Sequence, residues 1–122
     1  MEPQEFSIRS RARSFIYAMG GILRFIRMEH NARLHVVATV AVIVAAVACK
    51  VTHGEAIALT FAVGLVWVTE MLNTCVERIL DFISREIHPQ IKFIKDLAAG
   101  AVLVASLAAL VVGAIIFIPK FL

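Results

Sequence analysis

The sequence has few charged residues and few cysteines, and each shortage excludes a class of protein. Only 17% of the 122 residues are charged, 61% are hydrophobic, and the mean hydropathy is +0.89. Soluble domains carry about 25% charged residues, so this composition indicates an integral membrane protein. The two cysteines, Cys49 and Cys75, share no short spacing with each other or with a histidine. A disulfide framework or a zinc site is therefore not indicated.

The N-terminus and the net charge bear on two further classes. The N-terminal stretch MEPQEFSIRSRARSF contains charged residues and no apolar h-region, so we do not expect a cleavable signal peptide. The formal net charge of +3 and the pI near 9.2 are compatible with nucleic-acid binding. Membrane proteins, however, concentrate Lys and Arg at the cytoplasmic ends of their spans. The basic residues here flank the apolar segments, and we expect no nucleic-acid partner.

Four apolar segments predict an all-α membrane fold. Over about 14–28, apolar residues recur at three- and four-residue spacing while arginines lie on the other face, which predicts an amphipathic helix on the membrane surface. Three longer segments, at about 34–51, 56–84 and 96–118, predict transmembrane helices. Three spans would use most of the chain, so residues 1–122 are predicted to form a single membrane domain.

The distribution of basic residues predicts the topology. Six arginines precede the first predicted span, and Arg78, Arg85, Lys92 and Lys95 lie between the second and third. The opposite side has only Lys50 and Lys120. By the positive-inside rule, the N-terminus is predicted to be cytoplasmic and the C-terminus to lie outside.

Polar residues line one face of the second predicted span. The acids there predict a function, because a charge at the centre of a span costs about 2.5–3.5 kcal/mol. Glu29 before the first span and Lys95 and Asp96 at the start of the third add charged groups at the same end. Magnesium is usually held by one or two carboxylates together with substrate phosphates. At about 100° per residue, the predicted face contains Glu70, Asn73, Glu77, Asp81, Ser84 and His88.

A purely structural interpretation competes with this one. Glu77 with Arg78, or Asp81 with Arg85, would also be expected at a solvated helix end with local ion pairs. Glu70 is different, because its neighbours are apolar and no basic residue lies three or four positions away. We therefore favour a functional role for Glu70. For Asn73 two interpretations stay open, a functional role or a hydrogen bond to a neighbouring span.

Several motifs resemble one known family in order and spacing. These are ARSFIYAMGGI, EHNARLH, TEMLNTCVERILDFIS, HPQIKFIKD and AAGAVLVAS. They are similar to the prokaryotic diacylglycerol kinase family, which includes the undecaprenol kinases of Gram-positive bacteria. The resemblance implies a surface helix and three spans assembled as a homotrimer in the bacterial inner membrane, with active sites shared between subunits. It also implies phosphorylation of a membrane lipid alcohol with ATP as phosphate donor and Mg²⁺ as cofactor.

The resemblance assigns roles to individual residues. Glu70 matches the general base and Asn73 the residue that orients the base and the substrate. Glu29 and Glu77 match the pair that holds magnesium, and Arg33 with Glu70 is expected to bind the lipid substrate. The nucleotide-binding set implied by the resemblance is Glu29, Glu77, Asp81, Glu86, His88, Lys95 and Asp96.

Two questions about function stay open at this point. The motif N-x-R-x-H, which ends at His35, and the pair His88–Pro89 resemble the undecaprenol kinase branch and favour undecaprenol over diacylglycerol. An intramembrane glutamate is also typical of a small proton-coupled transporter. Transporters, however, place such sites near the bilayer midplane, whereas these acids cluster at one end. A non-catalytic assembly factor is the third alternative.

Overall fold

The structure, a computed structural model, describes residues 6–122 and contains four helices in that range. They are α1 (Ile8–Met28), α2 (His30–Ala48), α3 (His53–Ile83) and α4 (Pro89–Phe121). The chain consists of two compact units, Met1–Val37 and Ala38–Leu122. The interpretation of the whole chain as one domain stays a prediction.

Helix α1 begins earlier than the apolar pattern predicts. Ser7 is its N-cap and accepts a hydrogen bond from the backbone of Ser10, so the helix starts at Ile8 and not near residue 14. A serine that caps the first turn satisfies one of the backbone donors left free at a helix start. No residue of α1 is buried. Its location on the membrane surface stays a prediction.

Helices α2, α3 and α4 are each long and apolar enough to cross a membrane, in agreement with the three predicted spans. Helix α2 occupies 30–48 where 34–51 was predicted, and it is followed by Lys50 in the left-handed conformation, with φ of 52°. Thr52 and Glu55 form a capping box at the start of α3. These local signals set the helix ends, which hydropathy alone does not resolve.

The connection between α3 and α4 corrects one prediction. A proline commonly ends the helix before it, but α3 already ends at Ile83, well before Pro89, and Ser84 is its C-cap. Pro89 instead occupies the first turn of α4, with His88 as the N-cap. Proline suits that position because its fixed φ matches the helix and its missing N–H has no helical partner there. Helix α4 consequently begins at 89, whereas its span was predicted from about 96.

Helices α3 and α4 pack against each other and supply most of the buried residues of the second unit. Leu59, Val66 and Leu80 are buried on α3, and Ala105 and Ile116 on α4. An ion pair joins the helices at each end, Lys120 with Glu55 at 3.0 Å and Lys95 with Asp81 at 2.6 Å. The antiparallel pair α3–α4 is therefore the element that positions the candidate site.

Candidate active site

Glu70 is the only charged residue that is buried among residues 6–122, with 8% of its surface exposed. It follows Leu59 and Val66 on the buried face of α3. A buried carboxylate requires compensating contacts, and such groups mark functional sites inside membrane helices. The structure thus places the predicted base where a proton acceptor is shielded from bulk water.

Asn73 and Glu77 continue from Glu70 on the next two turns of α3. The Asn73 amide Nδ2 donates to Glu77 Oε1 at 3.3 Å. Asn73 Oδ1 is buried and has no hydrogen-bond partner among the described residues. Buried acceptors without a partner are rare in folded proteins, so this oxygen is available for a ligand that carries a donor or a cation.

A pocket of about 310 Å³ lies at the connection between α3 and α4. Within it, Lys95 Nζ donates to Asp81 Oδ1 at 2.6 Å, and Lys92 Nζ donates to Asp96 Oδ2 at 2.5 Å. Three of these four side chains are exposed and that of Lys95 is partly exposed, so the pairs exchange readily with other charged partners. Five predicted nucleotide-binding residues line this pocket: Asp81, Glu86, His88, Lys95 and Asp96.

The same pocket includes polar residues that sequence reasoning did not assign to the site. Arg85 and Lys92 line it as well, beside Ser84 of the predicted polar face. The spacing of Lys92, three residues before Lys95, was an available signal because residues three apart share a helix face. Arg85 lies in the connection after α3, where no helical period applies, so only the structure identifies it.

The structure also corrects the predicted polar face of the second span. Ser84 and His88 lie beyond the last helical residue, Ile83, so they do not extend the face formed by the four residues from Glu70 to Asp81. His88 Nδ1 instead accepts the backbone N–H of Gln90 at 3.1 Å, which caps α4. The backbone N–H of Glu86 donates to Ser84 Oγ at 3.1 Å. These local bonds shape the connection that forms the pocket.

Two predicted site residues belong to the first unit. Glu29 is the C-cap of α1, and its backbone N–H donates to Phe25 O at 2.9 Å. Arg33 is the fourth residue of α2, and its Nη2 donates to Arg27 O at 2.9 Å. The pairing of Glu29 with Glu77 in a metal site, and the binding of the lipid by Arg33, stay predictions.

The side chains on α3 fit a magnesium ion that is bound jointly with phosphates. Among residues 6–122, no group of three or more His, Cys, Asp or Glu side chains could hold a metal ion alone. Magnesium in phosphoryl-transfer enzymes needs only one or two protein carboxylates beside substrate oxygens. Glu77 supplies a carboxylate, and the unpartnered Asn73 Oδ1 lies on the preceding turn. This donor set of oxygens suits a hard cation.

Comparison with known proteins identifies the family. A sequence profile of prokaryotic diacylglycerol kinase matches residues 16–117. The chain belongs to the prokaryotic diacylglycerol kinase family. The resemblance noted in the sequence is thereby confirmed, and the protein is a membrane lipid kinase rather than a transporter or an assembly factor.

Two relatives of this lipid kinase have different substrates in their names. Undecaprenol kinase of Bacillus subtilis is 34% identical over 108 residues, which cover 88% of each chain. Diacylglycerol kinase of Synechocystis sp. is 40% identical over 113 residues, which cover 89% of this chain and 63% of the relative. The identities do not separate the two substrates, so the substrate has to be argued from the structure.

Proposed function

We propose that this kinase transfers the γ-phosphoryl group of ATP to the hydroxyl of undecaprenol, with Mg²⁺, at the cytoplasmic face of a bacterial inner membrane. The observation that supports this proposal most directly is the buried carboxylate of Glu70, followed on α3 by Asn73 and Glu77. A charged pocket lies beyond them at the α3–α4 connection. A base in an apolar setting and a charged nucleotide site are the two parts that a lipid kinase requires.

The proposed reaction uses the residues of α3 in order. The Glu70 carboxylate accepts the proton of the lipid hydroxyl while that oxygen forms a bond to the γ-phosphorus. The bond from the γ-phosphorus to the bridging oxygen breaks, and ADP leaves. Asn73 positions Glu77 through its amide and presents Oδ1 to the bound ligands. Glu77, with Glu29 as the family resemblance implies, would hold a magnesium ion together with the phosphates, and the ion would supply positive charge against the charge that develops during transfer.

The nucleotide is proposed to occupy the pocket at the α3–α4 connection. Lys95 is the proposed phosphate ligand, and it exchanges its bond to Asp81 for one to ATP. Glu86, His88 and Asp96 line the same pocket and are proposed to contact the rest of the nucleotide. Because ATP is cytosolic and Lys and Arg concentrate at this end, we place the N-terminus in the cytoplasm and the C-terminus outside.

The proposed preference for undecaprenol depends on the hydrogen-bond donors that the spans can offer to a lipid. Diacylglycerol has ester carbonyls that need hydrogen-bond donors, whereas undecaprenol is an allylic alcohol without esters. The Thr60 hydroxyl already donates to Ala56 O at 2.8 Å, and the Trp67 indole N–H already donates to Thr39 Oγ1 at 2.8 Å. An acceptor left without a donor in an apolar site costs about 1–3 kcal/mol, so these spans favour the alcohol without esters.

A side-by-side assay tests the reaction and the substrate. Purified protein is incubated with radiolabelled ATP, Mg²⁺ and either undecaprenol or diacylglycerol in matched micelles, and labelled lipid is measured. We expect both to be phosphorylated, with a higher kcat/KM for undecaprenol. A higher kcat/KM for diacylglycerol would reject the proposed substrate and leave the kinase assignment intact.

The Glu70→Gln variant tests the base in the same assay. The amide keeps the shape of the side chain but cannot accept the hydroxyl proton, so we expect turnover to fall about 100-fold or more, with nucleotide binding retained. Glu55→Gln, at the opposite end of α3, is the matched control and should retain turnover. Wild-type turnover in Glu70→Gln would show that another group accepts the proton.

A further inference from the structure

Helices α2 and α3 enclose a groove that the proposed phosphoryl-transfer site does not use. The groove has a volume of about 620 Å³ and runs along the part of α3 between Ala56 and Trp67, opposite Thr39 to Lys50 of α2 and the following turn. The helices meet at both ends of the groove, through the turn after Ala48 and through the bond from Trp67 to Thr39.

Small residues leave this groove open. Ala46, Ala56 and Gly64 are on its walls, and a Cβ added at Gly64 would meet nothing within 4 Å. In lipid, small residues usually bring two helices into close contact. Here they border unfilled space, and a space of this size within the hydrocarbon region must be occupied by an apolar group.

The groove has few polar atoms, and this indicates that a hydrocarbon chain is its suitable occupant. The Thr60 hydroxyl donates to its own helix backbone, and Thr39 Oγ1 accepts from the indole of Trp67. Apart from Lys50 at the end remote from Trp67, the remaining lining is aliphatic or glycine. A headgroup would find few donors here, whereas an alkyl or isoprenoid chain needs none.

The groove leads to Glu70. Its lining residues on α3 recur at three- and four-residue spacing from Ala56 to Trp67, so they share one face of the helix. Glu70 lies three residues after Trp67 on the same face. At 1.5 Å per residue, the distance along α3 from Glu70 to Ala56 is about 21 Å. A chain whose hydroxyl reached Glu70 would follow this face beyond half of a hydrocarbon core about 30 Å thick.

We propose that the α2–α3 groove binds the tail of the lipid alcohol and makes the kinase sensitive to tail length. This inference rests on the proposed function, because the tail is tethered to a hydroxyl at Glu70. Tethering raises the effective concentration of that tail at the groove, so it competes better for the groove than the tails of bulk lipids. A covering helix of a second copy of the chain is the competing occupant, and quenching of Trp67 distinguishes the two.

Fluorescence of Trp67 tests the occupant without any need for turnover. Trp67 is the only tryptophan in the chain and lines the groove. Wild-type protein in phosphatidylcholine bilayers is mixed with a long isoprenoid alcohol that carries a nitroxide on its chain, or with phosphatidylcholine that carries the same nitroxide. We expect stronger quenching by the alcohol and reversal by the unlabelled alcohol.

Two glycine variants test whether the excess quenching of Trp67 depends on the groove. Gly64→Leu fills the groove, so the excess quenching by the alcohol should disappear. Gly113→Leu adds the same side chain to α4, where a Cβ also meets nothing within 4 Å, and should behave as wild type. Ala46→Leu, on the opposite wall, repeats the test if Gly64→Leu does not fold. Equal quenching by both labelled lipids, which indicates bulk lipid, or quenching by neither, which indicates a covering subunit, would overturn the proposal.

Kinetics then connect the groove to the reaction. With isoprenoid alcohols of increasing length, we expect KM to fall several-fold and then level off once the groove is filled. This dependence should be lost in Gly64→Leu and retained in Gly113→Leu. Phosphorylation with the same KM at every length would reject the groove while the proposed function stands. If no alcohol is phosphorylated, the proposed function fails, and the quenching result still decides what the groove binds.

Discussion

Two lysines at the α3–α4 connection form ion pairs with neighbouring aspartates. Lys95 contacts Asp81 and Lys92 contacts Asp96. Exposed pairs of this kind contribute about 0–1 kcal/mol each, whereas hydrogen bonds from charged groups to phosphate are stronger. At the proposed nucleotide site, ATP would therefore displace Asp81 from Lys95 at little cost.

The lysine in this pocket gives a prediction about ATP. Lys95→Met removes the charge and keeps most of the apolar stem, so we expect KM for ATP to rise about tenfold with KM for the lipid unchanged. Initial rates over a matrix of ATP and lipid concentrations measure both constants. Lys120→Met, at the opposite end of the same helix, should leave KM for ATP at its wild-type value. An equal rise in both constants would argue against a phosphate ligand.

Glu77, one turn after Asn73 on α3, gives a prediction about magnesium. Glu77→Gln keeps the size of the side chain but loses the charge, so we expect half-maximal activity to need about tenfold more Mg²⁺. Activity measured over a magnesium titration at fixed ATP provides the value. Glu55→Gln removes a carboxylate from the other end of α3 and should leave the titration midpoint unchanged. An unchanged midpoint in Glu77→Gln would remove Glu77 from the metal site.

At the scale of helices, the end of α3 remote from the candidate site holds the α3–α4 pair together. Glu55 accepts from the backbone N–H of Thr52 at 2.9 Å and from Lys120 Nζ at 3.0 Å. The Thr52 hydroxyl in turn accepts from the backbone of Glu55. One carboxylate thus completes a capping box and binds the last turn of α4.

This double role of Glu55 predicts which of two substitutions lowers Tm more. Glu55→Ala loses the cap and the ion pair, whereas Lys120→Ala loses only the ion pair, so we expect Tm to fall more for Glu55→Ala. Thermal unfolding in detergent measures both, and the double variant should resemble Glu55→Ala alone. Fully additive losses of Tm would show that the two side chains act independently.

Hydropathy predicted the three long helices, but the connection between α3 and α4 depended on features that hydropathy does not report. The 100° period placed Glu70 to Asp81 on one face because that segment is helical throughout. Ser84 and His88 fitted the same period but cap helix ends instead. Whether such residues continue or end a helix depends on competing local hydrogen bonds. The pocket around Lys95 required knowledge of how α4 packs on α3.

At the scale of the whole molecule, one chain buries little of its apolar surface. Among the described residues, only seven are buried, and Phe82 and Ile87 are more than 90% exposed. Lipid or other subunits must cover the spans. The family resemblance implies a homotrimer with shared active sites, which would combine residues of two chains in one site.

Subunit mixing tests the shared site. Glu70→Gln and Lys95→Met subunits are purified separately, exchanged in detergent and assayed at low ATP, where each alone is nearly inactive. If a site combines Glu70 of one subunit with Lys95 of a neighbour, some sites in mixed trimers have both native residues, and we expect activity to return. The same variants kept in separate nanodiscs, where they cannot exchange, should stay inactive. If each chain builds its own site, every mixed subunit lacks one of the two residues, and exchange will restore nothing.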